Sequence, residues 1–141
     1  MKTVLDTNVF ISGVFFRGPP HQILKAWREG RIRLLISDEI FEEYQRVGEL
    51  LSNDFPKVDL GPFLELLAIN AEFVMPRKMQ NPECEDPDDD KFLACALAGK
   101  SKIIISGDKH LQRVSGYMGI KVLRPRIFVE KYLDNAGCFK S

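Results

Sequence analysis

Three consecutive isoleucines, Ile103, Ile104 and Ile105, constrain the fold of this sequence most strongly. An uninterrupted apolar run of this length is typical of a strand buried on both faces, and such strands occur in parallel sheets covered by helices. Segments with helical spacing of apolar residues alternate with other short apolar strands along the chain. The pattern predicts an α/β fold, a doubly wound parallel sheet flanked by helices.

The expected elements follow from apolar spacing and from the positions of glycine and proline. Strands are expected over residues 3–5, 32–36, 72–75, 102–106 and 120–123, and helices over 21–29, 60–69, 88–99, 108–114 and 127–133. A further helix is expected to begin after Ser37, a good N-cap residue, and to be interrupted at Gly48. Residues 7 and 8 are expected in a polar turn, and residues 76–87, with three prolines, in a loop. The helix over 88–99 is expected to turn Leu97 inward with Phe92, Leu93 and Ala96.

The length and the cysteine content limit the class of protein. A chain of 141 residues fits one domain with one core. No apolar run approaches the roughly 20 residues that span a bilayer, and Asp6 interrupts the N-terminal apolar stretch that a signal peptide would continue. We therefore expect a soluble, cytoplasmic protein. Cys84, Cys95 and Cys138 form no C-x-x-C pair, so free thiols are expected rather than a disulfide framework or a zinc ribbon.

Charge is balanced overall but uneven along the chain. The 20 basic and 20 acidic residues give a net charge of zero, which argues against nucleic-acid binding by bulk charge alone. Six of the eight residues from Glu83 to Asp90 are acidic, and from Arg17 to Arg33 the charged residues other than Glu29 are basic. An acidic run of this kind predicts either a metal site or a solvated loop, and composition does not separate the two.

Acidic residues recur at the ends of the predicted strands. Asp6 directly follows the first strand, and Asp108 lies just beyond Ser106 at the end of the triple-isoleucine strand. Asp89 and Asp90 open the helix that leads into that strand, and Glu43 lies on the helix after the second strand. Because ligands of open parallel sheets bind beyond the carboxyl ends of the strands, we expect these acids to converge there.

Converging carboxylates require neutralisation. Two unit charges about 4 Å apart repel by roughly 4 kcal/mol at an effective dielectric constant near 20, so protons or cations must offset them. Mg²⁺ suits such a site because it prefers a few carboxylates together with water and phosphate oxygens. His21 and His110 are isolated and form no transition-metal pattern. The sequence also lacks the P-loop, the nucleophile elbow and the dinucleotide-binding glycine pattern.

Four segments resemble the PIN-domain family, in order and with suitable spacing. They are Val4-Leu5-Asp6-Thr7-Asn8-Val9, Ser37 to Tyr44, Asp86 to Leu93, and Ile105 to Leu111. The resemblance extends from the first residues to about Phe128 and looks closest to the toxin components of prokaryotic toxin–antitoxin pairs. It implies a single PIN-like domain over residues 1–141, with motifs from about 3 to 128 and a C-terminal tail at 134–141.

The resemblance implies an Mg²⁺- or Mn²⁺-dependent endoribonuclease. It assigns catalytic and metal-binding roles to Asp6, Glu43, Asp108 and an aspartate at the start of the third motif. We take that aspartate to be Asp89, with Asp90 as the neighbouring or alternative ligand. Supporting roles in positioning water or carboxylates are implied for Asn8, Ser106 and Thr7. A bound cation would lower the pKa of a water and offset charge on the leaving oxygen.

The same resemblance suggests partners. RNA is the expected substrate, an antitoxin protein is a possible inhibitor, and a homodimer is the expected assembly, with no membrane association. Candidates for phosphate contacts are Arg17, Arg28, Arg31 and Lys109.

Three other interpretations compete with the nuclease. A non-catalytic PIN-like module would bind RNA or protein without cleavage, and losing one acid of the cluster would favour it. A metal-dependent phosphatase would need an aspartate nucleophile with a nearby lysine, and Asp6-Thr7-Asn8 lacks the second aspartate expected of that class. In the third interpretation the acids only cap helices and keep loops solvated. This would account for Asp38 and Glu39, but it gives no reason for acids at the ends of two strands.

Overall fold

A five-stranded parallel sheet forms the centre of the molecule, in a computed structural model that describes residues 1–76 and 89–134. Its strands are β1 (Lys2–Leu5), β2 (Arg33–Ile36), β3 (Glu72–Phe73), β4 (Ile103–Ile105) and β5 (Lys121–Leu123). Their order across the sheet is β3-β2-β1-β4-β5, and every neighbouring pair is parallel. The predicted α/β class is therefore confirmed.

Helices connect successive strands and flank the sheet. They are α1 (Thr7–Phe15), α2 (Pro19–Arg28), α3 (Asp38–Ser52), α4 (Gly61–Asn70), α5 (Asp90–Gly99), α6 (Lys109–Gln112) and α7 (Pro125–Phe128). A 3₁₀ turn covers Tyr117–Gly119, and a π-helical turn covers Val129–Asp134. Among the residues that the structure describes, no helix is long and apolar enough to span a lipid bilayer.

The core forms around β1 and β4. Ile104 and Ile105 are completely buried and Ile103 nearly so, as expected for a strand covered on both faces. The ring of Phe10 in α1 stacks on that of Tyr44 in α3, with centroids 4.3 Å apart and planes inclined by 7°. Since full burial of a large apolar side chain contributes about 1.5–3 kcal/mol, these layers supply much of the folding free energy.

The prediction of a polar turn at residues 7 and 8 was wrong, because α1 begins directly after Asp6. The Oδ1 atom of Asp6 accepts a hydrogen bond of 2.8 Å from the Val9 backbone N–H, which makes Asp6 the N-cap of the helix. Most of α1 is buried, so it lacks the one-sided apolar stripe by which a surface helix is recognised in a sequence.

Two further predictions, on the continuity of α3 and on the buried face of α5, were also wrong. The helix α3 continues through Gly48, where an added Cβ would lie 2.7 Å from Leu60 Cδ2 and 3.3 Å from Ile11 Cδ1. This glycine therefore permits close packing of α3 and does not end the helix. On α5, Leu97 is 36% exposed, whereas Phe92, Leu93 and Ala96 are buried as expected. The buried face of α5 includes Cys95 instead.

Several expectations concern residues 77–88 and 135–141, which lie outside the described residues. They include most of the proline-rich loop predicted for 76–87, the acidic run before Asp89, most of the expected C-terminal tail, Cys84 and Cys138. Cys95 is a free thiol, as expected, and it is buried. Burial raises its pKa to about 12, so the nucleophilic thiolate is scarce at neutral pH.

We expect Gly13→Ala to destabilise the fold by about 1–2 kcal/mol, because overpacking outweighs the gain in helix propensity. An added Cβ at Gly13 would lie 2.8 Å from the carbonyl oxygen of Pro20, a backbone atom, and 2.7 Å from Leu24 Cδ1. Urea unfolding measures the change. Gly61→Ala is the matched control, since its Cβ would approach only Asp59 Oδ1, at 3.3 Å, and an equal loss in both variants would contradict the packing argument.

Candidate active site

Asp6 and Ser106 lie side by side at the carboxyl ends of β1 and β4. Leu5 is paired with Ile105, and the Asp6 N–H extends the pairing by donating to the Ile105 carbonyl oxygen at 3.1 Å. Beyond β1 the chain continues to β2 on one side of the sheet, whereas β4 is followed by β5 on the other side. The pair therefore occupies the topological switch point, where open α/β sheets form their ligand-binding crevices.

The Asp6 carboxylate is buried, and each of its oxygens accepts a hydrogen bond. Only 5% of the residue is exposed. Its Oδ1 accepts from the Val9 N–H, and its Oδ2 accepts from the Ser106 hydroxyl. Burial raises the pKa of Asp6 from 3.8 to about 6, with smaller contributions from the negative charges of Asp108 and Glu43, while the two hydrogen bonds lower it. A group that ionises this reluctantly favours a nearby cation.

Ser106 links the Asp6 carboxylate to the backbone of Asp108. Its fully buried hydroxyl donates to Asp6 and accepts from the Asp108 backbone N–H at 3.0 Å. The Asp108 carboxylate in turn accepts from the His110 N–H at 2.8 Å and caps α6. The short segment after β4 therefore fixes Asp108 relative to Asp6.

Glu43 reaches the site from α3. Its Oε1 accepts a hydrogen bond from the Thr7 hydroxyl, and its Oε2 lies 2.7 Å from Lys91 Nζ. The neighbouring Tyr44 anchors the helix, because its hydroxyl donates to the Leu5 carbonyl oxygen at 2.5 Å. That bond ties the helix carrying Glu43 to the strand residue that precedes Asp6.

All four predicted acids line one cavity of about 190 Å³. Its walls are formed by Asp6, Thr7, Asn8, Glu43, Arg46, Val47, Asp89, Phe92 and Asp108. Asp89 lines the cavity and its Oδ2 is buried, whereas Asp90 begins α5 and is not among the lining residues. The structure thus brings the four acids together, and their action as ligands or catalysts stays a prediction.

The three residues expected to support the site, Thr7, Ser106 and Asn8, do not all contact its acids. Thr7 bonds Glu43 and Ser106 bonds Asp6, so both orient carboxylates. Asn8 is exposed at the cavity wall. Sequence reasoning missed Arg46 and Lys91, which contact the Oε2 of Glu43 at 3.8 and 2.7 Å. Lys91 lies one helical turn before Cys95, and only the structure shows that this face of α5 is buried.

Two of the arginines proposed to contact phosphate lie elsewhere. Arg28 lines a cavity of about 350 Å³ with Arg33, which begins β2 and therefore lies at the opposite edge of the sheet from Asp6. Arg31 donates to the Leu133 carbonyl oxygen at 3.2 Å. Arg17 and Lys109 are exposed, and Lys109 directly follows Asp108. The sequence showed that the segment from Arg17 to Arg33 is basic, but it did not show at which edge of the sheet these arginines lie.

The donor set of the cavity suits a hard divalent cation. Four acidic residues line one small cavity, and Asp6 carries a raised pKa that a cation would offset. Within residues 1–76 and 89–134, however, no three side chains of His, Cys, Asp or Glu are grouped closely enough to hold one ion. The residue types fit the oxygen-ligand chemistry of Mg²⁺ or Mn²⁺, and one ion could be held by three of them only if the carboxylates lay closer together.

We expect Ser106→Ala to cost about 1–3 kcal/mol of stability near neutral pH, because the Asp6 carboxylate and the Asp108 N–H both lose a buried partner. The hydroxyl lowers the pKa of Asp6, so the variant should hold its proton above pH 6. Folding of either protein binds a proton at Asp6, so its stability falls as pH rises through the folded pKa. In the variant this fall should continue to higher pH.

Urea unfolding from about pH 5 to pH 8 measures the difference, which should widen with rising pH. Ser52→Ala is the control, since its hydroxyl donates only to Gly48 within α3. A loss that is the same at every pH would contradict the role of Ser106 in ionising Asp6.

Two comparisons with known proteins bear on this site. The profile of a family described as PIN domain matches residues 2–110, well over half of the 141-residue chain. The chain is also similar to Uncharacterized protein MJ1680 of Methanocaldococcus jannaschii. The two are 35% identical over 147 aligned residues, which cover 94% of this chain and 92% of the relative. The family match includes every acid of the cavity, and neither comparison tests the expected toxin branch.

Proposed function

This chain belongs to the PIN-domain family, whose members are generally metal-dependent nucleases, and on that premise we propose that it is an endoribonuclease. The enzyme hydrolyses RNA phosphodiesters with Mg²⁺ or Mn²⁺ held by Asp6, Glu43, Asp89 and Asp108. The observation that carries the proposal is their common cavity at the switch point of the sheet. Acids from four separate chain segments would repel one another there without a cation.

Each side chain has a defined part in this mechanism. When bound, the cation supplies Lewis acidity and a water of lowered pKa. The buried Asp6 provides a carboxylate fixed by two hydrogen bonds, and Ser106 keeps it oriented. Thr7 orients Glu43 in the same way. The less buried Asp108, at the start of α6, is suited to orient the attacking water.

The RNA backbone must approach an acidic cavity in a protein of zero net charge. Arg46 lines the cavity with its side chain 68% exposed, and the exposed Lys109 follows Asp108. We assign phosphate contacts to these two residues, because each lies next to an acid of the site. Binding then depends on local contacts more than on overall charge, and its salt dependence should be shallow.

The proposal extends to a cellular role as the toxin of a toxin–antitoxin pair. Its support is the resemblance of the four sequence motifs to that branch of the family. An antitoxin that covers the cavity and a homodimeric assembly belong to the same proposal.

Two observations favour a second candidate, a PIN-like module that binds RNA without cleaving it. Lys91 already pairs with Glu43 in the cluster, and no three acids of the described residues are grouped for one ion. A chain whose acids were neutralised permanently in this way would not need a metal.

RNA cleavage separates the two candidates. The purified chain is incubated with a defined single-stranded RNA in Mg²⁺, in Mn²⁺ and in EDTA, beside Asp108→Asn and the control Asp38→Asn. Asp38 is an exposed acid in the first turn of α3. Cleavage by wild type and control that is lost in EDTA and in Asp108→Asn supports the nuclease. RNA binding without cleavage in either metal supports the binding module, and equal cleavage by all three proteins indicates contamination.

A further inference from the structure

Lys91 is a buried cation beside the carboxylate cluster, which it contacts through Glu43. Only 7% of its side chain is exposed, and its Nζ lies 2.7 Å from Glu43 Oε2. The same Nζ lies 5.2 Å from the centre of the Phe92 ring, which gives it a second favourable contact. A buried ammonium group is tolerated only when it is paired, and Glu43 supplies a carboxylate partner for Lys91.

The pair joins two helices that carry the site. Lys91 lies in the first turn of α5, directly after Asp89 and Asp90, whereas Glu43 lies on α3. The other oxygen of Glu43 is held by Thr7 from the start of α1. Glu43 is therefore held from two other helices, and Lys91 is the closer and more buried of its two charged contacts.

Arg46 cannot replace Lys91 in this position. It lies 3.8 Å from the same oxygen, and its side chain is 68% exposed, so water and salt screen the contact. Arg46 lines the cavity of the four acids, and both residues line a neighbouring cavity of about 230 Å³ together with Glu39, Glu42 and Glu43. Lys91 thus lies between the catalytic acids on one side and two further glutamates on the other.

We propose that Lys91 is a positioning residue that anchors Glu43 and sets the affinity of the carboxylate cluster for its divalent cation. The proposal rests on the proposed function only in taking that cation as the natural ligand. With Lys91 present, one negative charge of the cluster is already offset, so the incoming ion meets a weaker field. The pair keeps the metal-free protein folded and limits the tightness of metal binding.

This role predicts opposite signs for two measurements on Lys91→Met. Removing the positive charge should lower the melting temperature of the metal-free protein, because Glu43 loses its closest and most buried cationic partner. The same change should tighten Mn²⁺ binding about fivefold or more, since the cluster becomes more negative by one charge. A lysine that only packed would leave affinity unchanged or weaken it.

Isothermal titration with Mn²⁺ measures the affinity in four proteins: wild type, Lys91→Met, Lys91→Arg and Lys57→Met. Lys91→Arg keeps the charge and should bind within about twofold of wild type. Lys57 is exposed in the turn after α3, so Lys57→Met is the matched control for loss of one charge. Equal or weaker binding by Lys91→Met would overturn the proposal, as would equal tightening by Lys57→Met.

A double-mutant cycle tests the anchor without metal. Lys91→Met and Glu43→Gln are combined, and thermal unfolding is followed in EDTA. In the Glu43→Gln background, Lys91→Met should lower the melting temperature by less than half of its effect in wild type, and additive effects would overturn the anchoring role. Neither measurement involves RNA. If the protein binds Mn²⁺ but cleaves no RNA, the proposed nuclease function fails, and the role of Lys91 in metal affinity is still tested.

Discussion

We expect Asp6→Asn to slow cleavage about a hundredfold or more and to make the metal-free protein more stable. The buried carboxylate has a pKa of about 6 against 3.8 when exposed, so near pH 8 its ionised form costs the fold about 3 kcal/mol. Asparagine removes the charge, keeps an oxygen that can cap α1 at Val9, and offers Ser106 an amide in place of a carboxylate. The melting temperature should rise by about 5 °C or more.

Catalysis should change in the opposite direction. Loss of a metal-binding carboxylate removes several kcal/mol of transition-state stabilisation, so the rate should fall about a hundredfold or more. Mn²⁺ should raise the melting temperature of wild type and have little effect on the variant.

Scanning calorimetry near pH 5 and near pH 8 tests the physical cause. The stability due to Asp6 protonation is present below the unfolded pKa and is lost as pH rises through the folded pKa of about 6. The advantage of Asp6→Asn should therefore shrink at the lower pH. Asp38→Asn, which changes an exposed acid in the first turn of α3, should match wild type in activity and lose no more than about 1 kcal/mol of stability. A variant that is less stable than wild type at pH 8 would contradict the account of Asp6.

The second large effect is expected for Phe10→Ala, which should lower the free energy of unfolding by about 3–5 kcal/mol. Phe10 is completely buried and stacks on Tyr44, so truncation leaves a cavity between α1 and α3. These helices carry Thr7 and Glu43, so the Thr7–Glu43 contact should loosen as well.

Phe16→Ala supplies the matched control for Phe10→Ala. Phe16 directly follows α1 and is 46% exposed, and its edge-on contact with Phe55 lies at the surface. Urea unfolding should give a loss below about 1 kcal/mol for this variant. Equal losses in the two variants would mean that the Phe10–Tyr44 stack does not hold α1 against α3.

The parallel sheet and the convergence of the acids at one edge of it could be predicted, because both follow from the pattern of apolar and acidic residues along the chain. The run of three isoleucines required a strand buried on both faces, and parallel strands bring their carboxyl ends to one edge. That edge fixes the positions of Asp6 and Asp108 before any packing is known. The long α3 helix then brings Glu43 into reach, through the Tyr44 bond to Leu5.

Other features depended on tertiary contacts that no local pattern records. The buried helix α1 showed no amphipathic stripe, and Asp6 served both as its N-cap and as the central acid of the site. The choice between Asp89 and Asp90 depended on where α5 begins, a boundary that sequence patterns predict poorly. The Lys91–Glu43 pair joins positions on two helices, so only the packed structure reveals it.

Crystals grown with Mn²⁺ offer the most direct test of the central claim, that the acids of the switch point form a divalent metal centre. Anomalous scattering locates manganese independently of any assumed ligand. The account predicts a peak in the cavity within about 2.5 Å of carboxylate oxygens of at least two residues among Asp6, Glu43, Asp89 and Asp108. A peak at other residues only, or a cavity with no peak at millimolar Mn²⁺ and neutral pH, would contradict it.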